Sequence, residues 1–220
     1  MQMEIERKDL ANADKRVQFF DAFFLYLSCI DCALDRAEEA IRTIASRNAG
    51  KYALDSGNFD VNEVFSIRND SIGLKSRASS YMAVLFQPFE SSQTIVISNL
   101  SDGWITLCNS IAVELKTFLY TFSFSDESEA DARNALQYTD FSTNNKVSRV
   151  VYAMRDPRWV FYEEGAALYF EDVENYKNRI IKKRLNKRIL ISYCEELGYE
   201  IMTPGFFIPS GRVLRLQYTW

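Results

Sequence analysis

Apolar residues recur every fourth position at Ile181, Leu185, Ile189, Tyr193 and Leu197, a row that falls on one face of a helix. Acids open the surrounding segment at Asp172 and Glu174, cations follow, and Gly198 supplies a C′ stop. The pattern therefore predicts one long helix over 172–198. A second stripe runs through Ile30, Ala33, Leu34, Ala37, Ile41, Ile44 and Ala45, with Asp31 as its cap and Asn48-Ala49-Gly50 as its stop. A third, through Trp104, Ile105, Cys108, Ile111, Ala112 and Leu115, starts from Ser101 or Asp102. Elsewhere the apolar runs are short and rich in aromatic and β-branched residues. They predict strands at 80–86, 94–98, 117–124, 147–154, 159–162 and 212–220, and at 17–27 a buried strand, with a helix the alternative that periodicity leaves open.

Turn chemistry separates these elements. Asp156-Pro157 favours a tight connection between the strands at 147–154 and 159–162, and Asp55-Ser56-Gly57-Asn58 and Arg68-Asn69-Asp70-Ser71 mark turns in the polar stretch 51–79. The strand–helix unit at 17–47 is faintly echoed at 94–124, without a fixed-period repeat. The expected fold is a single α+β domain over 1–220. A mostly antiparallel sheet, a meander in the second half, packs against two or three helices, including the long one in the C-terminal half.

Composition narrows the picture. With 220 residues, 47% hydrophobic and 14% aromatic, the chain has the make-up of an ordinary globular domain. The opening MQMEIERKDL lacks an apolar core, so no secretory signal is expected, and no stretch approaches the roughly 20 apolar residues of a membrane helix. Four cysteines do not make a disulfide framework, which points to a reducing cytoplasm. Within the 172–198 segment seven Lys or Arg oppose four acids, although the whole chain carries −4. That overall balance argues against broad nucleic-acid binding, and the four-apart row suggests a core-docked helix with a solvated basic face.

Candidate chemistry is sparse. There is no histidine, which removes Ser-His-Asp and Cys-His nucleophile pairs and histidine-ligated metals. No phosphate-cradling glycine loop of the common types occurs among the eight glycines, and no cofactor or metal is expected. Cys29-Ile30-Asp31-Cys32 follows a strand and opens a helix, the setting in which a C-x-x-C pair does redox work. Its acid counters that reading, and buried structural cysteines are the plainer one. A zinc site would need Cys108 and Cys194 to converge on that pair. Glu163 and Glu164 are the carboxylates on which an acid–base enzyme would rest.

The candidate partner-binding residues are Asp126, Glu127, Glu129 and Asp131, together with two tryptophan-bearing turns, Asp102-Gly103-Trp104 and Arg158-Trp159. The acidic run reads either as solvated loop or as a patch that steers a basic partner. Each tryptophan reads as an interface anchor or as the edge of a core.

Three stretches, the run from Ile97 through Ser110, the run from Val150 through Trp159 and that from Tyr176 through Tyr193, resemble the layout of small bacterial immunity proteins of polymorphic-toxin and contact-dependent-inhibition systems. The likeness lies in general character, that of an acidic, aromatic-rich α+β domain without catalytic motifs. It implies a stoichiometric inhibitor that binds a cognate toxin domain and occludes its active site. The leading expectation is thus a cytoplasmic, non-enzymatic protein-binding module. The alternatives are a small enzyme using carboxylates or the Cys29–Cys32 pair, and a nucleic-acid-associated regulator using the basic helix.

Overall fold

The computed structural model describes residues 25–47, 52–57, 81–89, 91–98, 102–143, 147–203 and 205–218. In chain order the elements are β1 (Leu25–Ile30), α1 (Leu34–Arg47), β2 (Tyr52–Gly57), β3 (Tyr81–Phe86), β4 (Thr94–Ser98), α2 (Ile105–Leu115), β5 (Phe118–Phe124), β6 (Arg133–Asp140), β7 (Val147–Asp156), β8 (Arg158–Glu164), α3 (Lys187–Glu196) and β9 (Val213–Tyr218). The strands form one nine-stranded sheet in the order β2-β9-β3-β4-β1-β5-β6-β7-β8, and every neighbouring pair is antiparallel. The fold is α+β, with the sheet dominant. Among the described residues no helix is long and apolar enough to cross a membrane.

Each strand sends alternate side chains to opposite faces, so the sheet needs two covers. On one face Ile30, Ala83, Leu85, Val96, Leu119, Leu214 and Leu216 pack under α1 and α2, through Leu34, Ala37, Ile41, Leu107, Cys108 and Ile111. On the other, Leu27, Cys29, Val84, Phe86, Ile95, Phe122, Leu136 and Val151 meet Phe170, Tyr176, Leu185, Leu190, Tyr193 and Phe207. The central strands β3 and β4 are continuous apolar runs because both of their faces are covered.

The strand expectations at 80–86, 94–98, 117–124, 147–154, 159–162 and 212–220 correspond to β3, β4, β5, β7, β8 and β9. Of the run expected at 17–27, residues 17–24 lie outside the described residues, as do the turn at 68–71 and residues 48–50. β2 falls in the polar stretch, where the hydrophobic pattern predicts no strand, and β6 supplies the meander's first strand.

The basic segment 172–198 differs from expectation. It forms two 3₁₀ turns, Asn175–Lys177 and Ile181–Lys183, and becomes α-helical only over α3. Asparagines interrupt it. Asn178 leaves the helical conformation (φ −57°, ψ 134°) and its Oδ1 accepts from the Ile180 N–H at 2.9 Å, while Arg184 Nε donates to the Asn178 carbonyl. Asn186 is extended, and its Oδ1 accepts from the Ile189 N–H at 3.0 Å as the α3 cap. Such local side-chain bonds offer the backbone an alternative to helix. The four-apart row still packs inward, with Leu185 and Tyr193 buried.

Candidate functional site

Among the described residues the helical cover does not reach across the whole sheet. Its core cluster contains no residue of β6, β7 or β8. The register places Gln137, Val150, Tyr152, Met154, Val160 and Tyr162 on that same face, through the pairs Gln137↔Val150, Tyr152↔Tyr162 and Met154↔Val160. Three of these six side chains are aliphatic or thioether and two are tyrosines, yet none is buried: Val160 is 37% and Tyr162 42% exposed, and the other four are half-buried. The Tyr152 and Tyr162 rings stack with centroids 5.3 Å apart and planes 25° from parallel. Tyr162 Oη donates to Glu164 Oε2 at 2.6 Å, a bond that raises the phenol's pKa because it is made by the protonated form. An apolar, aromatic sheet face left uncovered by the described residues is the clearest departure from a self-contained core.

The turns singled out from the sequence lie at one end of this sheet. Ser123 pairs with both Tyr26 and Ala135, Arg133 with Met154, and Asp156 with Arg158, so the 125–132 loop and the β7–β8 turn are neighbours. The Arg155 N–H donates to the Ala132 carbonyl at 2.9 Å and ties them together. Gly103 sits against Tyr26 at the same end, on the helical side. Its φ is +67°, and a Cβ there would come within 2.5 Å of Tyr26 Cβ.

Within the loop Asp126, Glu129 and Asp131 are exposed, and Glu127 pairs with Lys182 at 3.0 Å. The Ser128 N–H and hydroxyl both donate to Asp126 Oδ1, which holds that carboxyl below its ordinary range. Arg158 is exposed on the open face, whereas Trp159 points the other way and packs against the second core. Trp104 is 9% exposed, adopts φ 60° at the N-cap of α2, and lies 6.3 Å from the Tyr52 ring within the helical-side core. Asp102 caps no helix: its Oδ1 accepts from the Trp104 N–H and forms the turn into α2.

A buried ion network fastens the other cover to the sheet. Arg149, in β7, has a side chain 2% exposed, and that of Glu171 is 0% exposed. Arg149 Nη2 lies 2.8 Å from Glu171 Oε2 and 2.8 Å from Glu163 Oε2, and Nη1 donates to the Gly165 carbonyl at 2.9 Å. Tyr176 Oη donates to Glu171 Oε2 at 2.8 Å and meets Tyr193 Oη at 3.1 Å, while the Leu168 N–H donates to Glu171 Oε1. Burial opposes the Arg149 charge, but its bonds to Glu171 and Glu163 outweigh burial and raise the guanidinium's pKa. Burial pushes the Tyr176 phenol up, and its bonds to Tyr193 and Glu171 add to the shift. The carboxylate–tyrosine set is saturated with partners, which suits a structural clasp rather than proton transfer at neutral pH. Gly165 completes it: φ is +83°, and a Cβ there would fall 2.1 Å from the Ser148 carbonyl oxygen.

The hydrophobic pattern gives no notice of this clasp, and Arg149 interrupting the strand-like run at 147–154 is its one visible sign in the sequence. Of the enzyme candidates, Glu163 belongs to the clasp and Glu164 bonds Tyr162. Cys29 and Cys32 diverge, Cys29 into the core beneath α3 and Cys32 towards the helical side. All four cysteines are free. Burial raises the Cys32 thiol to about 11 and the Cys29 thiol higher, the reverse of an activated redox pair. Among the described residues no group of three or more metal-ligating side chains converges. At the opposite end of the sheet a cleft of about 790 Å³ includes Gln93, Tyr199 and Phe206 in its lining. There the Tyr199 hydroxyl donates to Gln93 Oε1 and Gln93 Nε2 donates to Asp31 Oδ1, while burial raises the Tyr199 phenol.

No family model matches the chain, and no curated protein or solved structure matches it significantly.

Proposed function

We propose that the chain is a non-enzymatic protein-binding module whose partner docks on the uncovered face of β6, β7 and β8. The carrying observation is that this face presents Val150, Tyr152, Met154, Val160 and Tyr162 with no helix over them among the described residues, while the same sheet is helix-covered further along. Apolar centres with stacked tyrosines and a charged margin are the make-up of protein interfaces. Arg158 and the loop carboxylates of Asp126, Glu129 and Asp131 supply the margin at one end. The resemblance to immunity proteins adds the kind of partner, a toxin domain whose active site the bound module occludes. Four free cysteines suit a cytoplasmic place of action.

The test is calorimetric titration of the chain with the product of the adjacent gene, alongside a growth-protection assay. Tight stoichiometric binding is expected, weakened about 10-fold or more by Met154→Lys, which puts a charge at the centre of the face. Absence of binding and of protection sinks the toxin reading. Binding that Met154→Lys and Tyr152→Lys leave unchanged, in variants shown to be folded by circular dichroism, sinks the face as its site.

A further inference from the structure

The edge of the sheet, rather than its face, points to a second association, independent of the proposed function. β8 ends the strand order, and among the described residues no backbone hydrogen bond from outside β7 reaches it. Its pairing with β7 runs unbroken from Asp156↔Arg158 to Val150↔Glu164, without a bulge to turn the edge away. No proline or lysine lies inside it. Its one charge directed at the packed face, Glu163, is neutralised by Arg149 at 2.8 Å. Proline, lysine, a bulge or an inward charge ordinarily blunts an exposed strand, and β8 lacks a working example of each. The other edge, β2, is six residues long and ends in Asp55-Ser56-Gly57, all poor strand formers.

The order of side chains along β8 identifies what fits this edge. The strand reads Arg-Trp-Val-Phe-Tyr-Glu-Glu. Set antiparallel to a copy of itself about Phe161, it places Arg158 opposite Glu164 of the copy, twice. Val160 then faces Tyr162 and Trp159 faces Glu163, each also twice, and Phe161 meets Phe161. Arg158, Val160, Tyr162 and Glu164 all lie on the open face, so these pairs form on one surface. Moving the centre to Val160 leaves Glu163 and Glu164 overhanging. Moving it to Tyr162 leaves Arg158 and Trp159 without partners in the strand. Only the register about Phe161 engages all seven residues and matches opposite charges at both ends.

We propose that two copies of this chain join β8 to β8 in antiparallel register about Phe161, making one continuous sheet with reciprocal Arg158–Glu164 pairs. The two uncovered faces then lie side by side and present one double-width surface. A seven-residue edge buries less than a standard interface, so the expected association is of micromolar strength.

Sedimentation equilibrium of the full chain over about 1–200 µM reads the outcome, since that range brackets a micromolar constant. The chain is expected to form a dimer. Arg158→Glu and Glu164→Arg each set like charges opposite one another and should weaken self-association about 10-fold or more. Mixing the two variants restores both opposite-charge pairs, so the mixture should associate as strongly as the native chain although neither component does. Val160→Lys, on a solvent-facing position, gives an independent check and should also shift the equilibrium to monomer. A native chain that stays monomeric throughout overturns the proposal. So does a dimer indifferent to these substitutions, or a mixture no more associated than its components. None of these results depends on the adjacent-gene partner, and a failed partner assay leaves this one intact.

Discussion

The two covers of the sheet are built on different principles. On one face α1 and α2 lay regular apolar stripes over the strands, and their contact is almost wholly hydrophobic. On the other, residues 166–203 and 205–209 cross the sheet with two 3₁₀ turns and one ten-residue helix, and a buried ion network pins their start. A helix satisfies its own backbone and needs only an apolar stripe to dock. An irregular segment lacks that internal ladder, so its N–H and carbonyl groups must find partners elsewhere. Here Arg149 and Glu171 supply them, to the Gly165 carbonyl and the Leu168 N–H. The difference teaches that polar burial in this fold takes the place of regular secondary structure.

The largest expected effect breaks that arrangement. Glu171→Leu removes a carboxylate that accepts from Arg149, Tyr176 and the Leu168 N–H, and leaves the guanidinium buried with only half-exposed Glu163 as its carboxylate partner. Urea unfolding should show a loss of about 3–5 kcal/mol. Hydrogen exchange should rise across 165–186 before it rises in α2. The double variant Arg149→Met, Glu171→Leu removes both charges and should recover much of the loss. If the single variant is as stable as the native chain, or if α2 opens first, the irregular cover does not depend on the clasp.

This contrast also explains what can be read from the chain. The helical cover is legible because its stripes repeat with a helix's period, as at Leu34, Ala37 and Ile41 or Leu107, Cys108 and Ile111. Strands β3, β4, β5, β7, β8 and β9 are legible as short apolar runs. The row through Ile181, Leu185, Ile189 and Tyr193 also has the helical period, but Asn178 and Asn186 divert the backbone with bonds of their own. Periodicity records which side chains point inward, and not how the chain carries them there. The clasp is invisible for another reason: Arg149, Glu163, Glu171, Tyr176 and Tyr193 meet only after β7, β8 and α3 have docked. Of the candidate site, the acidic loop and the Arg158 turn are legible as turn chemistry. The open face over β6, β7 and β8 is not, because hydrophobicity alone does not distinguish Val150 or Tyr152 from core.

A smaller effect acts on both covers together. Burial raises the thiols of Cys29 beneath α3 and of Cys194 within it, of Cys108 in α2 to about 12, and of Cys32 to about 11, against an ordinary 9.0. In each case the folded chain keeps a proton that the unfolded chain releases. The stability this contributes is fully present below about pH 9 and is lost as pH rises towards 11. Thermal unfolding should therefore move to lower temperature above about pH 9, with little change between about pH 7 and 8.5. Cys108→Ala and Cys194→Ala should each flatten that alkaline slope, one from each cover. A midpoint unchanged up to about pH 11 in the native chain would show that the thiols titrate alike folded and unfolded.

The smallest effect lies where the regular cover departs from regularity. Lys116 closes α2 in the left-handed conformation, with φ 51° and ψ 53°, while its N–H donates to the Ala112 and Val113 carbonyls. An L side chain is disfavoured there, and glycine is the residue that commonly ends helices in this conformation. Lys116 is exposed, so replacing it sacrifices little packing. Lys116→Gly should therefore stabilise the chain by about 0.5–1 kcal/mol, the left-handed strain relieved exceeding the extra freedom glycine gives the unfolded state. The urea midpoint should rise with no change in slope, because the area exposed on unfolding is the same. Exchange should slow at the C-terminal turn of α2 and stay as it was across 165–186. A gain appearing in the irregular cover instead would mean that the two covers share their stability, and the division between a self-sufficient helix layer and a clasped one would fail.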